Sequence, residues 1–278
     1  MHRVGSGGRS AKLASFAGAA ALVFGIAASP AAADHSWGSY HWARAQNPFW
    51  VKLGDNVSAS WDSYLTNVSS DWSLDQADPS WLDATPPPPE EFIGPNPLNT
   101  TIGPGGTTGR KCRASPSRVE VCAASYGKNR WLGLASIWAS GSHITQATAK
   151  LNDTYFNTAT YNTPAWRQSV MCQEVGHAFG LDHQDESGAD LDTCTDYSDS
   201  PNIHPDQHDY NQLAAIYQHL DSSNGASIST TPPAGSGRGL QRVREGLYVE
   251  RYGGGEKRYV WVFWKGGGPH YGAPENAR

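Results

Sequence analysis

Hydrophobic and polar positions along the chain change period several times, and each change predicts an element. Residues 48–53 read as a first strand, and Gly54, Asp55 and Asn56 supply a turn and a helix cap. Val57, Trp61, Leu65, Val68 and Trp72 then recur every three or four residues, the buried stripe of a long helix packed on a sheet. Residues 75–111 lose the pattern; rich in proline and glycine, with prolines at 86–89, they predict a long loop. Strands are predicted over 118–124, which alternates around Val119 and Val121, and over 131–138 and 144–151. A helix is predicted over 165–179. Pro205 opens a last helix with Tyr210, Leu213, Ala214, Tyr217 and Leu220 on one stripe. Two β-prone runs, 247–252 and 258–264, flank Gly253, Gly254 and Gly255 and predict a hairpin. A lone hairpin is marginal in water, so this one is expected to dock on the main domain or on something else. The predicted class is α+β, with α/β-type layering around a twisted mixed sheet.

Composition adds an organisation. At 278 residues the chain can bury one substantial core with a small appendage. Its net charge of -5 and few charged residues argue against a nucleic-acid partner. Arg3, Arg9 and Lys12 precede an apolar run at 13–28, then Pro30 and Ala31, Ala32 and Ala33. This reads as a secretory signal over 1–33 with Asp34 as the first mature residue. The alternative, a transmembrane anchor, needs a longer run, so no stable membrane anchor is expected after removal. The main domain is then 34–221, a Ser/Gly/Pro linker covers 222–239, and the hairpin tail is 240–278. Cys112, Cys122, Cys172 and Cys194 fit an oxidising, extracellular destination. Of three possible pairings, Cys112–Cys122 and Cys172–Cys194 are favoured; Cys172 as a metal ligand is the alternative.

The chemistry concentrates in residues 170–183, a helix followed by a sharp turn. Gln173 and His177, four apart, share a helix face, with Glu174 beside it. Gly180 can adopt the positive φ that ends a helix and returns the chain, presenting His183 to the same point. Two imidazoles, a carboxamide and a carboxylate would converge, the arrangement of a three-ligand zinc site with an open position for water. The segment resembles the metzincin metalloproteases, whose motif is H-E-x-x-H-x-x-G-x-x-H, and its second half is most similar to the matrixin branch. Glu174, His177, Gly180 and His183 match in register. The resemblance, spread over roughly 48–220, implies a metzincin-like catalytic domain: a strand–helix start, an active-site helix and a C-terminal helix.

That resemblance implies a secreted zinc metalloendopeptidase, a monomer acting on protein or peptide substrate. Zinc would be held by His177, His183 and Gln173. Glu174 would be the general base, and Tyr197 a candidate contact for the oxyanion. Residues 133–137 are similar to the segment near the edge strand that aligns substrate in this family, so substrate would bind as an added strand. Two positions depart from the pattern: Gln173 replaces the first histidine, and Thr195 stands where the methionine of the turn below the metal is found. Three outcomes follow for Gln173. Its oxygen ligates; another group, with His204 and His208 as candidates, completes the shell; or the site is empty and the protein a relic of the fold. For His204 and His208 a helix cap and a surface residue are the simpler roles. Calcium is a second candidate ion, for Asp185, Glu186, Asp190, Asp192, Asp196 and Asp199, although a solvated loop is the simpler reading of that stretch.

Overall fold

The computed structural model describes residues 1–2, 35–73, 97–222 and 237–266. The predicted signal segment and most of the predicted linker lie outside the described residues. Every strand and helix named below lies within residues 31–278.

One mixed sheet organises these residues. Its strands are β1 (His41–Trp42), β2 (Phe49–Asn56), β3 (Leu98–Pro104), β4 (Arg118–Ala124), β5 (Trp131–Ser140), β6 (His143–Asn152), β7 (Gln241–Arg244), β8 (Leu247–Arg251) and β9 (Lys257–Trp264). They lie in the order β3-β2-β4-β6-β5-β9-β8-β7, with β1 beside the start of β6. From β3 to β6 the pairing is parallel, and from β6 through β7 it is antiparallel. The helices are α1 (Asp62–Asp71), the single turn α2 (Asp153–Phe156), α3 (Pro164–His177) and α4 (Gln207–Ile216). The architecture is therefore mixed α and β, as the α+β expectation has it.

Local chemistry explains the elements that place the site. α3 starts where Thr163 Oγ1 accepts the Trp166 amide at 3.2 Å and Pro164 fills a first-turn position that needs no N–H donor. From Arg167 to His177 every residue of α3 is buried, so the helix is internal rather than amphipathic. α1 buries Trp61, Leu65, Val68 and Trp72 on the predicted stripe, and Trp72 comes so close to Gly176 that a Cβ there would sit 2.8 Å from its ring. α4 opens with a capping box: Asp206 accepts the Asp209 amide at 2.9 Å and Asp209 accepts the Asp206 amide at 2.9 Å. Both favoured disulfides, Cys112–Cys122 and Cys172–Cys194, are formed, which leaves Cys172 no role as a ligand.

Three expectations need correction. The region predicted as one loop over 75–111 contains β3, which pairs in register with β2 from Phe49↔Leu98 to Asp55↔Pro104. Its sequence, with Gly103 and Pro104, hides a strand whose signal is pairing rather than composition. The long α1 starts only at Asp62, because Asp55 Oδ1 accepts the Val57 amide and Trp61 N donates to Ser58 O in a separate turn. Finally, β5 is not an open edge. β9 pairs along it from Trp131↔Trp264 to Ala139↔Lys257, so the predicted hairpin docks by extending the main sheet, with β7 added as a third strand.

Candidate functional site

The helix end and the turn after it do what the spacing requires. Gly180 adopts φ +102°, and a Cβ there would lie 2.4 Å from the Tyr40 carbonyl, so no other residue fits. The chain reverses and brings His183 Nε2 to 3.2 Å from His177 Nε2. His177 Nδ1 lies 3.0 Å from the Leu181 carbonyl, an acceptor, so Nδ1 carries the proton and the Nε2 lone pair faces His183. Such a backbone partner is the usual outer support of a metal-bound imidazole. Burial, then the neighbouring His183, pushes His177 down to about 3. Burial also lowers His183 to about 4, with Asp182 pulling upward. Both rings are therefore neutral near pH 7, the form that ligates metals.

Gln173, one turn before His177, donates from Nε2 to the Asp196 carbonyl at 2.8 Å. Its Oε1 is buried and has no hydrogen-bond partner. Such an acceptor is costly unless something satisfies it. Both carboxylate oxygens of Glu174 are in the same condition, and the residue is fully buried. Burial pushes its carboxyl well above the ordinary range, with the Ala135 backbone pulling the other way. Glu174 faces β5 at Gly133, where a Cβ would stand 2.3 Å from Glu174 Oε1. Tyr197 packs its ring 4.9 Å from that of His183.

Other residues are placed elsewhere. Thr195 is buried and donates to Asp209 Oδ1 at 2.6 Å, which makes it part of the α4 cap network. His204 Nδ1 lies 3.0 Å from Asp71 Oδ1, and His208 stacks on His35 at 4.8 Å, so both are engaged in other contacts. The acidic stretch is used by its own loop. Asp185 accepts from Ser187 and Ala189, Asp190 from Asn202 and Asp192, and Asp196 from Leu191.

Asp182, His183 and Glu186 present donor atoms within 4.8 Å of one another and could hold a metal ion; Asp182 is not among the residues singled out from the sequence. Further participants carry no local sequence signal. Arg244, which closes β7, contacts both Asp182 and Glu186 with its guanidinium. Trp261, from β9, stacks on His177 at 5.3 Å and 12°. Gly246, between β7 and β8, sits where a Cβ would be 3.7 Å from His183 Cε1. The β7–β9 meander thus roofs the imidazole pair, and His177 and His183 are 1% and 6% exposed. No protein-family model and no curated protein matches the chain.

Proposed function

We propose that this chain is a secreted zinc-dependent metalloendopeptidase of metzincin type, held closed by its own C-terminal strands. The observation that carries the reading is the 3.2 Å approach of two neutral, buried imidazole nitrogens, one helical turn after a buried carboxamide oxygen, Gln173 Oε1, that has no hydrogen-bond partner. For zinc–nitrogen bonds of about 2.0–2.1 Å in a tetrahedron, two ligand nitrogens are about 3.3 Å apart. The donor set therefore fits zinc, with His177 and His183 as ligands and Gln173 as the third. When bound, zinc supplies Lewis acidity and acidifies a water molecule.

The residues around it divide the remaining work. Glu174, kept from solvent and tuned upward, takes the proton of the attacking water and passes it to the leaving amine. The Tyr197 hydroxyl donates toward the developing oxyanion. Substrate adds as a strand along residues 133–136 of β5, where β9 residues 260–263 now pair. Turnover then requires the meander to give way, and Trp261 is the side chain to be displaced from His177. The secretory reading is supported by two disulfides and by the absence, among the described residues, of a helix long and apolar enough to cross a membrane.

A second reading has its own support. Gln173 spends its amide on Asp196 and replaces an imidazole with a weaker neutral oxygen, which favours a metal-poor, catalytically impaired protein that binds partners. Metal analysis of the purified chain, with a peptide-cleavage assay on wild type and Glu174→Gln, separates the two. Stoichiometric zinc with cleavage lost in Glu174→Gln supports the peptidase. Zinc with no cleavage under any condition supports the binder, and cleavage that survives Glu174→Gln would sink the mechanism. Gln173→His should tighten zinc binding; unchanged affinity would mean that residue 173 does not face the ion.

A further inference from the structure

We infer that the protein carries a second metal site, for a divalent transition metal of the zinc class, built from His41, His143, His219 and Asp221. These residues come from three separate segments: β1, the start of β6, and the chain beyond α4. His41 pairs with His143 across the β1–β6 ladder, and their rings meet edge to face with centroids 4.9 Å apart. Asp221 Oδ1 lies 3.1 Å from His143 Nε2, 3.4 Å from His41 Nε2 and 3.8 Å from His219 Nε2. His41 Nε2 and His219 Nε2 are 3.2 Å apart. The donor atoms of His41, His219 and Asp221 all lie within 4.8 Å of one another. These separations scatter around the tetrahedral edge of about 3.3 Å expected for zinc with imidazole and carboxylate ligands.

The supporting contacts aim the donors inward. Asp221 Oδ2 accepts the Arg44 amide at 3.1 Å and its guanidinium Nη1 at 3.2 Å, leaving Oδ1 to face the rings. His41 Nδ1 lies 2.6 Å from the Ser39 carbonyl and must carry a proton there, so a neutral His41 turns a lone pair toward Asp221 Oδ1 and His219. That lone pair lies 3.4 Å from Asp221 Oδ1 and 3.2 Å from His219 Nε2, and a cation held between the three donors would satisfy all of them at once. His41, His219 and Asp221 supply three ligands, and His143, with Nε2 3.1 Å from Asp221 Oδ1, orients that carboxylate. His143 and His219 are partly exposed, so the ion can enter from solvent. The site would tie β1 to the segment after α4.

The test is zinc stoichiometry of the metal-stripped full chain, measured by elemental analysis after refilling, with the zinc-induced rise in Tm as a second readout. His143→Ala/His219→Ala and, separately, Asp221→Asn should each bind one equivalent less than wild type and lose part of the Tm rise. Unchanged stoichiometry in folded variants would overturn the site and leave an ordinary His–Asp ion cluster. In the His177→Ala/His183→Ala chain, cobalt should still give tetrahedral visible bands, whereas their absence also overturns the proposal. This site does not depend on the peptidase reading: loss of zinc only in the His177→Ala/His183→Ala chain defeats the second site alone, and loss only in the His143→Ala/His219→Ala chain defeats the first alone.

Discussion

Gly133→Ala tests the position of Glu174 without replacing a proposed metal ligand or the proposed base. The new Cβ would meet Glu174 Oε1 at 2.3 Å, Val170 Cγ1 at 2.5 Å and Glu174 Cδ at 2.8 Å. Glu174 is fully buried and Val170 is fully buried on the internal helix α3, so neither can swing into solvent. One added methyl must push α3 from the sheet or turn the carboxylate away. Overpacking of this kind costs about 1–3 kcal/mol, or about 2–12 °C in Tm for a unit of this size. Activity should fall further than stability, because a displacement of about 1 Å at a reacting group costs about 100-fold. Gly141→Ala is the control: in the β5–β6 turn, at φ +61° with nothing within 4 Å, it carries only backbone strain. That change should cost about 1–2 kcal/mol and leave turnover per folded molecule unchanged. Thermal melts and specific activity of the purified variants decide the matter. A Gly133→Ala protein with wild-type Tm and wild-type turnover would show that Glu174 does not occupy this position in solution.

Other outcomes follow from the same geometry. With metal removed, the raised Glu174 carboxyl makes the folded chain bind more protons than the unfolded one, so its contribution falls as pH rises above about 4.5, by up to about 1.4 kcal/mol per pH unit. Glu174→Gln should therefore be the more stable protein near pH 7 in denaturant titrations, and parallel pH profiles would contradict its burial. His177 and His183 act in the opposite sense: their lowered folded values mean that stability is lost as pH falls from about 6.5 toward 4. Trp261→Ala removes a fully buried ring at a cost of about 3–5 kcal/mol. It should raise peptide cleavage by the metal-loaded chain, and a variant that keeps its zinc but cleaves no faster argues against the roof. Replacing Cys172 and Cys194 with alanine opens a loop with a sequence separation of 22 and should cost about 3 kcal/mol, read as a lower denaturant midpoint.

Local periodicity made much of the main domain legible. The run 118–124 coincides with β4, and the stripe ending at Trp72 is the buried face of α1. The helix–turn spacing from Gln173 to His183 was equally readable, because a 3.6-residue period and one glycine fix where His177 and His183 point. β3 was not legible: a short strand containing glycine and proline is specified by its neighbour β2, not by its own residues. Nor was the roof. Trp261 and Arg244 reach His177, Asp182 and Glu186 from distant parts of the sequence, through a register between β5 and β9 that neither strand announces. His41, His143 and His219 illustrate the same limit, since isolated histidines gain meaning only when the sheet sets them together.

The β7–β9 meander also decides how this protein meets copies of itself. A sheet ending at β5 would leave ten residues bearing Trp131, Leu132, Leu134 and Ile137 with an unpaired backbone, a template for edge-to-edge aggregation. With the meander in place, the sheet instead ends on the four residues of β7, where Arg242 and Arg244 discourage a further strand. Whatever lifts these strands from β5 would bare that sticky border, so the meander that covers the imidazole pair also guards the sheet against edge-to-edge pairing.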